Sequence, residues 1–179
     1  MITIVGFLSR PHGYNALCGI IDNPNYKLLK VFTHKLKPKS EDSSRSERKD
    51  YILFKQICRK NNIPLEAIDS NSQIINNVPQ CDFIVEISWR YLISQEIVKQ
   101  ASTLTFGVHR GKLPEYAGSE PIKQALEKNE SEIVLSSHHL AEEIDSGGTI
   151  NTISHLVNYD NSKSLDANVQ RLRNEITPM

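Results

Sequence analysis

The stretch TFGVHRGKLPEYAGSEPIKQALEKNESEIVLSSHHLAEEIDSGGTI, residues 105–150, decides how the chain is read. The apolar run Leu104–His109 predicts a strand that passes into a loop rich in turn residues, RGKLPEYAG. Glu120–Lys128 has helical spacing, and Glu132–Leu140 reads as a strand. After EEIDSGG, Gly148–Val157 predicts another strand, and Ser164–Arg173 a closing helix with Leu165, Val169 and Leu172 on one face.

Toward the N-terminus the same alternation continues. Ile2–Leu8 predicts a buried strand closed by the turn-like Arg10-Pro11-His12-Gly13, and Tyr14–Ile21 a helix stopped by Asp22-Asn23-Pro24-Asn25. Lys27–Thr33, Leu65–Ile68 and Asp82–Ser88 predict strands; Tyr51–Lys60, Ser72–Asn77 and Gln95–Gln100 predict helices. Lys35–Asp50 is the most polar segment and reads as a mobile loop. Strands alternating with helices imply an α/β fold, a mainly parallel sheet with helices on both faces. In such sheets ligands bind outside the carboxyl ends of the strands.

Composition narrows the class of protein. A chain of 179 residues suits a single domain, 1–179, with a core of its own. Apolar residues make up 39% and charged residues 23%, which excludes disordered and fibrous classes. Basic and acidic residues balance, 21 against 21, so no general field draws the chain to a nucleic acid or an anionic membrane. Cys18, Cys58 and Cys81 lie far apart with no C-x-x-C spacing. They read as buried small side chains in a reducing compartment, and no metal site is expected. The N-terminal apolar run is too short for a signal-peptide core or a membrane span, so the expected location is the cytoplasm.

Three places can carry chemistry. His109 ends a strand, where an imidazole can donate a proton or stabilise developing negative charge. Asp145 leaves a strand-like run ahead of two glycines; Asp-Ser-Gly-Gly is also an ordinary turn sequence. Together the two can serve one pocket, the histidine polarising a carbonyl and the aspartate taking a proton from an attacking amine. His138 and His139 are neighbours on a strand and point to opposite faces, so at most one of them joins the site. Arg10, His12 and Gly13 lie between the first strand and first helix, a position that can hold an anionic substrate or be a plain exposed turn.

These residues resemble a known family. Gly107-Val108-His109, Leu113-Pro114 with Tyr116 and Gly118, then His138, then Asp145-Ser146-Gly147 resemble the core of the folate-dependent formyltransferases. That family includes the glycinamide ribonucleotide, methionyl-tRNA and sugar-amine N-formyltransferases. DFIVEISWRYLIS upstream is similar to the family's strand and pterin loop, and the resemblance covers Asp82–Ile150. It implies a Rossmann-like fold and transfer of a formyl group from 10-formyltetrahydrofolate to the primary amine of a small molecule. By the same resemblance His109 stabilises the oxyanion, Asp145 orders a water and manages the proton, and His138 stands with them. The pterin is expected at Trp89, Arg90, Tyr91, Leu92 and Ile93 and at Leu140, Ala141, Glu142, Glu143 and Ile144, with Val98 and Leu140 as apolar wall.

The chain departs from the pattern at two points. Gly107 stands where the family has an asparagine, and losing one oxyanion donor typically costs about 10²–10³ in turnover. Arg110-Gly111-Lys112 replaces Pro-Ser-Leu, placing two cations, Arg110 and Lys112, where they can bind an anionic substrate or act on the histidine electrostatically. The expected acceptor is a nucleotide-linked amino sugar or glycinamide ribonucleotide. A tRNA is disfavoured by the zero net charge and by a chain that ends about where a catalytic domain would. Two alternatives stay open: a binding module that has lost catalysis, and a formyltetrahydrofolate hydrolase. A homodimer is compatible with either.

Overall fold

The computed structural model describes all 179 residues, Met1–Met179. Seven strands form a sheet in the order β3-β2-β1-β4-β5-β6-β7. Contacts divide the chain into two compact units, Met1–Thr105 and Phe106–Met179, with the boundary inside β5.

In the first unit, β1 (Ile2–Leu8) is an almost unbroken apolar run buried from Ile4 onward, as a central strand requires. It pairs in parallel with β2 (Tyr26–Thr33) and β4 (Cys81–Ile87), and β2 pairs in parallel with β3 (Leu65–Ala67). Helices α1 (Arg10–Asp22), α2 (Tyr51–Lys60) and the short α3 (Gln95–Val98) complete the alternation before β5 (Ala101–His109). Phe7 stacks on Phe32 with ring centroids 4.7 Å apart, and both rings are fully buried.

Three expectations for this unit are corrected. Arg10-Pro11-His12-Gly13 is the first turn of α1 rather than a turn before it: proline's fixed φ suits a helix start, where its missing N–H has no intrahelical partner to lose. Ser72–Asn77 forms no helix, because short polar side chains satisfy the backbone locally; the Ser72 N–H and hydroxyl both meet the Ser70 hydroxyl, and Asn77 has a positive φ. Lys35–Asp50 is tied down rather than free. Leu36 bridges Glu47, the Leu36 N–H donates to Asp69, and buried Arg48 donates to the His34 carbonyl, to Ser9 and to Asp50.

In the second unit the pairing direction changes. β6 (Glu132–His139) runs antiparallel to β5, and β7 (Thr149–Leu156) antiparallel to β6. With three parallel pairs, β1–β2, β1–β4 and β2–β3, beside these two antiparallel ones, the sheet is mainly parallel. Helices α4 (Pro121–Glu127) and α5 (Leu165–Glu175) pack together over a core of Tyr116, Ile122, Leu126, Ile133, Leu135 and Leu172. The Ser164 hydroxyl accepts from the Ala167 N–H, which caps α5. No helix is long and apolar enough to cross a membrane.

Candidate active site

His109 is the last residue of β5, and its imidazole is 9% exposed. Its Nδ1 lies 3.1 Å from Asp145 Oδ2, and its Nε2 donates to the Tyr116 carbonyl at 2.7 Å. Both ring nitrogens thus face acceptors, and the ring is fixed in plane and rotation. Tyr116 is itself held: its ring is buried, its hydroxyl donates to Glu130, and Lys128 Nζ sits 4.9 Å over the ring. Gly111 packs against this arrangement; a Cβ there would lie 2.9 Å from His109 Nε2 and 3.0 Å from the Tyr116 carbonyl oxygen.

Asp145 turns toward the histidine from the loop between β6 and β7, with φ at 55° in the left-handed region, which an aspartate tolerates. Its Oδ2 also accepts the Gly118 N–H at 2.9 Å, and Gly118 needs to be glycine because its φ is 85°. A Cβ on Gly147 would overlap the His139 carbonyl oxygen, so the loop is seated directly on the β6 backbone. The His139 N–H donates to the Gly148 carbonyl at 3.0 Å, which closes the same seat.

His138 is the member of the histidine pair that joins the cluster. It is buried and lies with Nε2 3.5 Å from Asp145 Oδ1, while His139 is exposed. Burial pushes the His138 imidazole below the usual histidine range, opposed by the hydrogen bond to the His139 carbonyl and by the charge of Asp145. The ladder sets Gly107 directly opposite His138, so the position without a side chain is on the same face as this imidazole.

The other residues read from the sequence fall elsewhere. Arg110 and Lys112 line a cavity of about 350 Å³ with Glu130, Glu132 and Thr152, and Lys112 is paired with Glu115 at 2.9 Å. Arg10 is bound to Glu41, His12 is buried, and Gly13 is buried where a Cβ would lie 3.0 Å from the Leu8 carbonyl carbon. Gly13 therefore has a packing reason to be glycine. Arg90 donates to the Leu36 carbonyl at 2.6 Å and lies 4.0 Å from Asp69, so its guanidinium ties two loops together. Trp89 stacks on His34 at 4.0 Å, with its Nε1 buried and lacking a hydrogen-bond partner. Leu92 is 53% exposed, Val98 partly buried, and Leu140–Ile144 lead from β6 toward Asp145 with Ile144 64% exposed. The cysteines are free, and burial pushes Cys58 and Cys81 up to about 11, which removes them as nucleophiles at neutral pH.

Sequence reading missed Gly111 and the Tyr116 carbonyl as parts of this cluster. A backbone oxygen has no sequence signature, and only the aromatic and glycine of the LPEYAG loop hinted at it.

The molecule is thus an α/β protein with an acid–base cluster at the end of β5. Residues 16–178 match the formyl transferase family, and the chain belongs to that family. It is 27% identical over 128 residues to a methionyl-tRNA formyltransferase of Clostridium acetobutylicum, covering 69% of this chain and 40% of that protein. It is 31% identical over 104 residues to the mitochondrial formyltetrahydrofolate deformylase 2 of Arabidopsis thaliana, 56% of this chain and 32% of that one. The chain thus spans well under half of either relative. Among solved structures, a phosphoribosylglycinamide formyltransferase from Bacillus halodurans aligns over 98% of this chain and 91% of its own, with TM-score 0.64 and 18% identity. The sugar 3N-formyl transferase WlaRD, solved in the presence of dTDP and 5-N-formyl-THF, aligns over 99% and 60%, with TM-score 0.63 and 20% identity. These two likenesses are of fold.

Proposed function

We propose that this protein transfers the formyl group of 10-formyltetrahydrofolate to the primary amine of a small molecule. The observation that carries the reading is the 3.1 Å contact between His109 and Asp145, residues 36 positions apart in sequence, on the family's frame. Each stretch assigned to the pterin by resemblance has, within its own unit, groups that suit 10-formyltetrahydrofolate: the buried, unpartnered Trp89 Nε1 and exposed Leu92 in the first, and the exposed apolar Ile144 in the second. When bound the folate supplies the formyl carbon that the amine attacks.

The chain's own residues divide the remaining work. His109 Nε2–H exchanges the Tyr116 carbonyl for the formyl oxygen and stabilises negative charge there; such contacts often form only in the substrate complex. Asp145 orders a water and accepts the proton that the amine releases. The expected acceptor is anionic, a nucleotide-linked amino sugar or glycinamide ribonucleotide; Arg10, His12 and Gly13 at the start of α1 in the first unit, and Arg110 and Lys112 beside the cavity in the second, are each by themselves candidates to hold it. The test is turnover of 10-formyltetrahydrofolate with each of these two amines. We expect His109→Ala and Asp145→Asn each to lower kcat by about 10²-fold or more. Wild-type protein inert with both amines, or variants as fast as wild type, would overturn the reading.

A second reading is hydrolysis of the same folate, favoured by the 31% identity to a formyltetrahydrofolate deformylase. Formate release without any amine singles it out. Folate binding with neither product identifies a binding module instead.

A further inference from the structure

His138 has two ring nitrogens in different situations. Nδ1 lies 3.0 Å from the His139 carbonyl oxygen, which can only accept, so Nδ1 carries the proton. That carbonyl is held in place by Gly147, whose missing Cβ lets the Asp145 loop press against it. In the neutral ring Nε2 is then a lone pair, buried and without a hydrogen-bond partner, 3.5 Å from Asp145 Oδ1. Asp145 Oδ2 accepts the Gly118 N–H and lies 3.1 Å from His109 Nδ1. Its Oδ1 receives no hydrogen bond from the protein and lies 3.5 Å from the bare His138 Nε2. A buried acceptor aimed at an unoccupied carboxylate oxygen is a place where one more proton fits.

We propose that His138 stores the proton released during formyl transfer, receiving it at Nε2 through Asp145 Oδ1. The inference rests on the formyl-transfer reading above. The amine lone pair forms the bond to the formyl carbon while the C=O π pair moves to oxygen. The N–H proton passes to Asp145 Oδ1 and on to His138 Nε2. The stored proton then returns by the same path to the donor nitrogen as its bond to the formyl carbon breaks, leaving a formamide and unformylated folate, with His138 neutral again. His138 acts through Asp145 and touches no substrate; it is a positioning residue for the proton. The titratable groups that face it are Asp145 from the loop, His109 from β5 and His139 from β6, while β7 sets the uncharged Thr149 opposite it.

The discriminating variant is His138→Asn, whose amide can keep the donor to the His139 carbonyl while removing the acceptor at Nε2; His138→Gln is the companion. In wild-type protein turning over 10-formyltetrahydrofolate with a nucleotide-linked amino sugar, and with water alone, kcat should fall on the acid side with a midpoint below the ordinary imidazole value. In His138→Asn we expect kcat down about 10²-fold, the acid limb lost or displaced, KM for the folate within about twofold, and the melting temperature kept. Nitrogen-15 spectra of wild type at pH 7 should show His138 protonated at Nδ1 and bare at Nε2. A His138→Asn enzyme with wild-type kcat and acid limb, or an Nε2-protonated ring, overturns this inference and leaves formyl transfer standing. A wild-type protein that produces neither formamide nor formate overturns both.

Discussion

At Gly147 one hydrogen atom in place of a methyl group decides where the acid of the site sits. A Gly147→Ala change has to push the loop off the His139 carbonyl, and with it move Asp145 away from both histidines. We expect a loss of about 1–3 kcal/mol in urea unfolding, as for an overpacked interior position, together with a fall in kcat. A variant with unchanged stability and turnover would show that the loop has another seat. Gly107 is the opposite case, a side chain missing where the family has an amide. Its partner in the ladder is His138, so an asparagine there returns a donor to the face that carries the cluster. Gly107→Asn is expected to raise the rate of formyl transfer; no gain, or a loss, in steady-state assays would mean that the glycine belongs to a differently built site.

At the scale of an element, His34 at the end of β2 holds the segment that follows β4. Its Nδ1 donates to the Ile68 carbonyl, its Nε2 accepts the Arg90 N–H at 3.2 Å, and its ring stacks on Trp89. Burial, with Arg90, Arg48 and Arg10 nearby, pushes it down to about 3, so the folded protein keeps it neutral where the unfolded chain protonates it. Between the unfolded value near 6.5 and about 3 the unfolded chain binds more protons. Stability contributed by His34 is therefore full above pH 6.5 and is lost as pH falls through that window, by up to about 1.4 kcal/mol per pH unit. Urea unfolding at pH 4.5, 5.5 and 7 should show this slope, and His34→Gln should flatten it. An equal slope in the variant would assign the acid sensitivity to other groups. None of this was readable in VFTHKLK, where the histidine looks like any residue leaving a strand.

For the whole molecule, folate binding should be visible as stability. A ligand at about 100 times its Kd that binds only the folded state adds about 2.7 kcal/mol. For a chain of this size that corresponds to roughly 5–10 °C in Tm. 10-Formyltetrahydrofolate should raise Tm in wild type, and an unmoved Tm at saturating concentrations would contradict folate binding altogether.

How much was legible follows from what kind of information each feature needs. The run ITIVGFL, the polar breaks and the helical spacing of YILFKQICRK are local, and they sufficed for the α/β alternation and for most elements to within a few residues. Where local signals mislead, side-chain partners had intervened: serines and asparagines that hydrogen-bond their own backbone at Ser72–Asn77, and a proline that starts α1 instead of preceding it. By itself the sequence carried His109, Asp145 and, through the resemblance, His138 as parts of a formyl transferase pattern, because that pattern is carried by residue type and order. Only the tertiary structure decided that Asp145 sets one oxygen toward each histidine and that a tyrosine carbonyl holds His109. Alternation along a strand says that neighbours face opposite ways; which one faces the cluster is decided by the β5–β6 register and the seat of the glycine loop, both made by contacts between distant parts of the chain.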